Sequence, residues 1–407
     1  MRRLGLVLVC LCACGGGSGS GDDTTPGDDG SGSDPGGNLT LRQRQAKLAM
    51  DLRGRADFMI GLGTDNTGPY DHNIPIDLHY AYLGGYGDQQ SGWPNWNTGG
   101  DYPKFFSDTA IQHGVTPMFT YYMMALELEN TDDAVLQDAT RVHQYLSDWR
   151  LLFQKLAGEN MPAAVNIEPD FFGYLMHRRD DGHAPDQIGA KIHSNDFPEC
   201  ASLPENVTGL TRCIVALARK EAPLVRVGFH ASQWGAYFDP LDANADIEAS
   251  GTAVADFLKI MGSDETDFVS VETLDRDAGF WETNGGGATC SVTGGSRGPV
   301  YWQADGDGLP NGAQHVRWVK ALTKELNRPA LEWQTPLGRP STTCGGSDSH
   351  WRDNRVEYFF AHVPQLVDAG VAGMTFGVGA GGQTTVSTDG DQFKTAAAAY
   401  MASPASL

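Results

Sequence analysis

Ala163-Ala164-Val165-Asn166-Ile167-Glu168-Pro169-Asp170 is a short apolar run that turns polar at its C-terminal end. It is too short for a helix. Its near-continuous apolar character suits a strand of a parallel sheet covered by helices. Amphipathic segments at 133–158 and 203–222 flank it and predict helices on either side. The same unit recurs in both directions. Strands are expected at Phe58–Leu62, Ile76–Tyr82, Thr116–Met123, Ala163–Glu168, Val225–His230, Asp267–Glu272, Arg328–Gln334 and Val371–Phe376. Helices are expected at 102–113, 251–261, 312–327, 354–369 and 390–401 as well. Eight such repeats predict a single (β/α)8 TIM-type barrel over residues 38–407. Its first unit is irregular, because 63–75 is too rich in Gly and Asn for a helix. The segment 40–56 is then free to close the bottom of the barrel. An open doubly wound sheet is the rival, but no G-x-G-x-x-G follows the first strand to support dinucleotide binding.

Composition narrows the partners. The chain has 407 residues, with 17 Phe, 13 Tyr and 9 Trp, too much aromatic surface for a disordered protein. Its formal charge of −22 lacks the basic footprint of a nucleic-acid binder. Met1-Arg2-Arg3 followed by Leu4–Ala13 reads as a secretory signal over 1–13. Leu11-Cys12-Ala13-Cys14 resembles a bacterial lipobox, which implies a lipid on Cys14 as the mature N-terminus. Plain signal-peptidase cleavage after Ala13 is the other reading. Residues 14–37 then form a lipidated Cys and a Gly/Ser/Asp tether. The expected protein is a monomeric lipoprotein of the cell envelope, touching the membrane only through its anchor. Cys200, Cys213, Cys290 and Cys344 form an even set in an oxidising compartment, so two disulfides are expected. Proximity favours Cys200–Cys213 and Cys290–Cys344.

A barrel carries its chemistry at the C-terminal strand ends. The residues there are His79, Tyr80 and Tyr82 (second strand), Glu168 and Asp170 (fourth), and His230 and Trp234 (fifth). The sixth supplies Glu272, Asp275 and Asp277, and the seventh Glu332, Trp333 and Gln334. Carboxylates with Trp and Tyr on one rim suit sugar chemistry: aromatic faces stack on pyranose rings, and two carboxyl groups divide the catalytic duties. Glu168, Asp170, Asp275 and Glu332 are the candidate catalytic groups. His79, Tyr82, His230, Trp234, Asp277, Trp333 and Gln334 are candidate substrate contacts. Several have structural alternatives: Asp275 and Asp277 flank Arg276 and could form ion pairs, and Glu332 could face the helices. His79 and Tyr82 point to opposite faces, so one of them should reach the barrel mouth. Strand alternation aims Glu168 inward, with Asp170 reaching over the rim. No histidine spacing suits a metal, no G-x-S-x-G surrounds Ser232, and no cofactor is expected.

Val165 to Asp170 resembles the strand-end Glu-Pro-Asp of family 6 cellulases. That resemblance implies that Asp170 is the catalytic acid. Asn166 to Pro169 also resembles the Asn-Glu-Pro of the large retaining clan of glycoside hydrolases, which implies Glu168 as acid/base and Glu332 as nucleophile. The likeness covers six residues and points to a (β/α)8 glycoside hydrolase of no assigned family. A non-catalytic glycan-binding barrel at the surface is the alternative expectation.

Overall fold

A computed structural model describes residues 39–64, 67–131, 133–180, 182, 184–236, 246–284, 312–341, 343–377 and 379–407. Cys14, the signal and the tether lie outside the described residues, as does Cys290.

Eight parallel strands close into a barrel in sequence order: β1 (Met59–Gly63), β2 (Leu78–Leu83), β3 (Thr116–Tyr121), β4 (Ala163–Ile167), β5 (Val225–His230), β6 (Phe268–Glu272), β7 (Ala330–Thr335) and β8 (Val371–Phe376). Closure runs through β1 and β8, with Gly61 opposite Thr375. The expected (β/α)8 barrel is thus the observed fold, and all eight strands fall where the apolar runs placed them.

The helices are α1 (Leu41–Arg53), α2 (Gly68–Asp71), α3 (Tyr102–Gln112), α4 (Met124–Thr131), α5 (Ala134–Gln137), α6 (Ala139–Ala157) and α7 (Phe171–Asp180). They continue with α8 (Val207–Glu221), α9 (Ile247–Met261), α10 (Ala278–Asn284), α11 (Gly312–Leu326), α12 (Arg355–Asp368) and α13 (Gln392–Met401). The expected helix 133–158 is two helices, because the Asp138 side chain accepts from the Thr140 and Arg141 amides and starts α6 afresh. Helix α8 begins at 207 rather than 203, where Asn206 caps it by accepting from Gly209. Between β1 and β2 stands only the four-residue α2, in keeping with the Gly/Asn-rich sequence there.

Alternation along each strand sorts side chains into two layers. Met59, Leu78, Tyr80, Met118, Ala164, Phe268, Leu331, Trp333 and Ala372 fill the barrel interior. Phe119, Val165, Ile167, Val227, Val269 and Val271 pack outward under the helices. Leu48, Ala49 and Leu52 of α1 join the interior cluster, so this helix closes the barrel floor. A capping box between Thr40 and Gln43 starts α1, and Gly54, at φ 73°, ends it. Gly63 faces inward against the Tyr80 ring, where a Cβ would sit 2.0 Å from Cζ; no larger residue fits beside that tyrosine. Cys200 and Cys213 are joined in a disulfide, as expected. Cys344 is also disulfide-bonded.

Candidate active site

The upper barrel interior is polar. Register places Thr120 beside Asn166, His230 beside Ser270, and Glu272 beside Trp333, all on the inward face. The Trp333 ring lies 5.4 Å from Tyr82 and 5.4 Å from His230. Tyr80 Oη, His230 Nε2, Ser270 Oγ and Trp333 Nε1 are buried without a hydrogen-bond partner among the described residues. Buried polar atoms are normally satisfied, so donors and acceptors collected in one place favour a polar ligand or water there. Burial depresses the His230 pKa to about 3, so its imidazole is neutral at any ordinary pH.

Three carboxyl groups meet at this mouth. Asp170 follows β4 at φ 65° and accepts from Tyr122 Oη (3.1 Å) and Trp234 Nε1 (3.0 Å). Glu272 ends β6 on the inward face, and its carboxyl group has no hydrogen-bond partner among the described residues. Burial raises its pKa well above the usual carboxylate range, and the charges of Asp170 and Asp275 raise it further. Asp275 is ion-paired with Arg276, yet burial still raises it. Burial raises Asp170 too, against the pull of its two donors. Clustered, poorly solvated carboxyl groups do not all ionise near neutrality. Glu272, which lacks donors, is the one on which a retained proton is most stable.

Other strand-end residues lie elsewhere. Glu168 sits at φ 50°, and that left-handed turn breaks the alternation expected to aim it inward. Its carboxylate instead takes the backbone amides of Met123, Met124 (2.9 Å) and Ala125 (3.1 Å) at the start of α4, and the Tyr145 hydroxyl (2.8 Å) of α6. Burial raises its pKa to about 7 despite these donors. Glu332 faces the helices and bonds His315 Nε2 (2.8 Å) of α11. His79 also faces outward, bonded to Tyr70 Oη (3.1 Å) and packed on Phe106, so Tyr82 is the member of that pair in the mouth. Asp277 ties loops together, accepting from Gly338 (3.0 Å) and Thr384 (2.7 Å) amides. Gln334, at φ 56°, lies near Gly379 and the Asp275 Cβ at the rim. Trp234 packs edge-on against Tyr174 and reaches Asp170.

The structure therefore groups Asp170, Asp275, Tyr82, His230, Trp234, Trp333 and Gln334 around the mouth, and turns Glu168, Glu332, His79 and Asp277 away from it. Glu272 and Tyr122 were not singled out from sequence as site residues. The signal for Glu272 was present in β6, where Phe268, Ser270 and Glu272 share one face. Among the described residues, no group of His, Cys, Asp and Glu is arranged to hold a metal ion.

No family model matches the chain, and no curated protein does. Solved structures similar to it include the virulence factor SghA from Agrobacterium tumefaciens, at 13% identity over 86% of this chain and 98% of that one, with a TM-score of 0.47. A GH5-4 broad-specificity endoglucanase from Clostridium acetobutylicum is 8% identical over 85% of this chain and 93% of its own, with a TM-score of 0.42. The endoglucanase Cel6 from Mycobacterium tuberculosis is 16% identical over 64% of this chain, with a TM-score of 0.32; the match spans 61% of that enzyme. Glycoside hydrolases recur among these neighbours, but at such distances the likeness carries no argument about substrate or residues, and no family is assigned.

Proposed function

We propose that the protein is a glycoside hydrolase acting on a polysaccharide or oligosaccharide outside the cytoplasm. The observation that carries this reading is the trio Asp170, Glu272 and Asp275 in an aromatic-rimmed barrel mouth. Glu272 holds the proton and delivers it to the glycosidic oxygen as the C–O bond breaks. This replaces Asp170 as the expected acid. Asp170, held toward its anion by Tyr122 and Trp234, faces the positive charge that develops at the anomeric carbon. A water molecule then adds there and gives up its proton to a carboxylate, so that one sugar leaves as the alcohol and the other as the hemiacetal. Asp275 helps to hold the proton on Glu272, and Tyr82 and Trp234 offer ring faces to the sugar, with the buried Trp333 packed behind Tyr82.

On a glycan panel, the wild-type protein should release reducing ends. Glu272→Gln and Asp170→Asn should each lower kcat by about 10²-fold or more while glycan binding persists. Full activity in both variants would overturn the assignment. Binding without turnover in the wild type would establish the non-catalytic glycan-binding barrel instead.

Lipid anchoring through Cys14 belongs to the same proposal, with residues 15–37 as the tether. Cys14→Ser should move the protein from the membrane fraction to the soluble fraction. Unchanged partitioning would refute the anchor.

A further inference from the structure

Beside the carboxyl trio lies a cleft of about 570 Å³, within the range of about 300–1,000 Å³ usual for small-molecule sites. It runs along the outer rim of β1 and β2. Tyr80 and Tyr82 line it at the barrel, and Trp96, Tyr102, Thr385 and Ser387 are among its other lining residues. Three features distinguish it. Its inner end adjoins the candidate active site, because Tyr82 lines the cleft and also lies within the electrostatic reach of Glu272 and Asp170. Trp96 is 45% exposed, a large apolar side chain left open to solvent, yet it is held in place. Its Nε1 donates to the Ser91 carbonyl at 2.8 Å, and its ring meets Tyr102 edge-on at 5.0 Å. Finally, no Asp, Glu, Lys or Arg is among the described residues lining the cleft, although the chain carries a formal charge of −22.

A pinned, exposed indole costs apolar exposure and has no core to stabilise, so its natural use is to receive a flat apolar face. Pyranose rings present such faces, with hydroxyl groups at their edges for Thr385 and Ser387. Among the described lining residues there is no Lys or Arg to pair with a uronate or sulfate, His72 being the titratable group there, and the protein's net charge repels polyanions.

We propose that this cleft is a glycan subsite that holds the continuation of a neutral polysaccharide chain whose scissile bond lies at the Glu272–Asp170 mouth. The inference rests on the glycoside hydrolase reading and deepens it: the substrate is a neutral polymer rather than a short or acidic saccharide. Trp96 lies in the long β2–α3 connection and Tyr102 begins α3, so this loop sets how much of the chain is gripped.

The test measures binding apart from turnover. Affinity electrophoresis of the wild type, Glu272→Gln and Trp96→Ala is run in gels containing hydroxyethyl cellulose, soluble starch, xylan, galactomannan or polygalacturonate. At least one neutral polymer should retard the wild type and Glu272→Gln, with Trp96→Ala binding it about tenfold more weakly, a change of about 1.4 kcal/mol. Trp96→Phe should recover much of the loss. On the cleaved polymer, Trp96→Ala should raise KM. Equal retardation of wild type and Trp96→Ala would overturn the subsite while leaving the catalytic proposal intact. Retardation by polygalacturonate alone would overturn the neutral-chain inference. Trp96-dependent binding without any hydrolysis would keep the subsite and remove the catalytic reading.

Discussion

Glu168 and Asp170 are separated only by Pro169, yet their carboxyl groups serve opposite sides of the barrel wall. Both residues have positive φ, as do Leu274 after β6 and Gln334 in β7. Non-glycine residues pay about 1–3 kcal/mol for such conformations, and these four sit at the end of the barrel where chemistry is expected. At Glu168 the strain is offset by three helix amides and the Tyr145 hydroxyl, so the side chain fastens β4 to α4 and α6. Glu168→Ala would strand those donors in the core. The expected cost is about 2–4 kcal/mol of unfolding free energy, with the smaller loss in Glu168→Gln, whose amide oxygen still accepts. Denaturant unfolding followed by tryptophan fluorescence measures both. Equal stability of Glu168→Ala and wild type would contradict the anchoring role.

Among the elements, the helix least visible in the sequence matters most to the site. The strand expected at Thr116–Met123 stops at Tyr121, and α4 starts at Met124, so the chain changes direction within two residues. Tyr122, two residues past the inward-facing Thr120, keeps that direction and bonds Asp170, while the early stop presents the first amides of α4 to Glu168. A carboxylate at a helix N-terminus gains from unpaired amides and from the helix dipole, which explains why Glu168 is drawn there. At the other end of the barrel, α1 acts as a plug. Gln45 Nε2 reaches the Val367 and Val371 carbonyls, both at 2.8 Å, and so ties the plug to the start of β8. The Cys200–Cys213 disulfide fastens the connection after α7 to α8. These contacts keep the frame rigid while the loops above it carry the site.

For the molecule as a whole, buried acids set the response to pH. Burial raises Glu168 and Asp277 to about 7 and Asp148 to about 6. For each, the folded state binds a proton more tightly than the unfolded state. That contribution is fully present below the unfolded pKa, near 4, and is lost as pH rises through the folded value. His230 works in the other direction: its depressed pKa contributes stability above about 6.5 and loses it as pH falls toward 3. These raised acids, with Glu272, Asp170 and Asp275 raised in the same sense, outweigh the depressed His230 and predict a Tm that falls between about pH 5 and about pH 7.5. Self-repulsion at high negative charge acts in the same sense. Asp148→Asn, with one fewer buried acid to ionise, should show a shallower fall in differential scanning fluorimetry across that interval. A Tm that is flat or rising there would refute this account.

The eight-stranded barrel, its floor helix and the Cys200–Cys213 pairing were legible in the sequence. Apolar period, segment length and cysteine spacing are local properties of the chain, and the layered architecture follows from burying each apolar run under a helix. Local pattern also indicated that aromatic and acidic residues crowd the strand ends. It could not say which of them share a space. Alternation assigned Glu168 to the interior, but one left-handed residue reversed it, and the attraction came from amides of a helix on a neighbouring unit. Glu332 was ambiguous until His315 of α11 was seen to face it. Glu272 became prominent only when closure of the sheet brought β6 to the same mouth as Asp170 and deprived its carboxyl group of donors. Strand periodicity determines the wall, whereas the grouping and protonation of side chains depend on three-dimensional burial and partners remote in the chain.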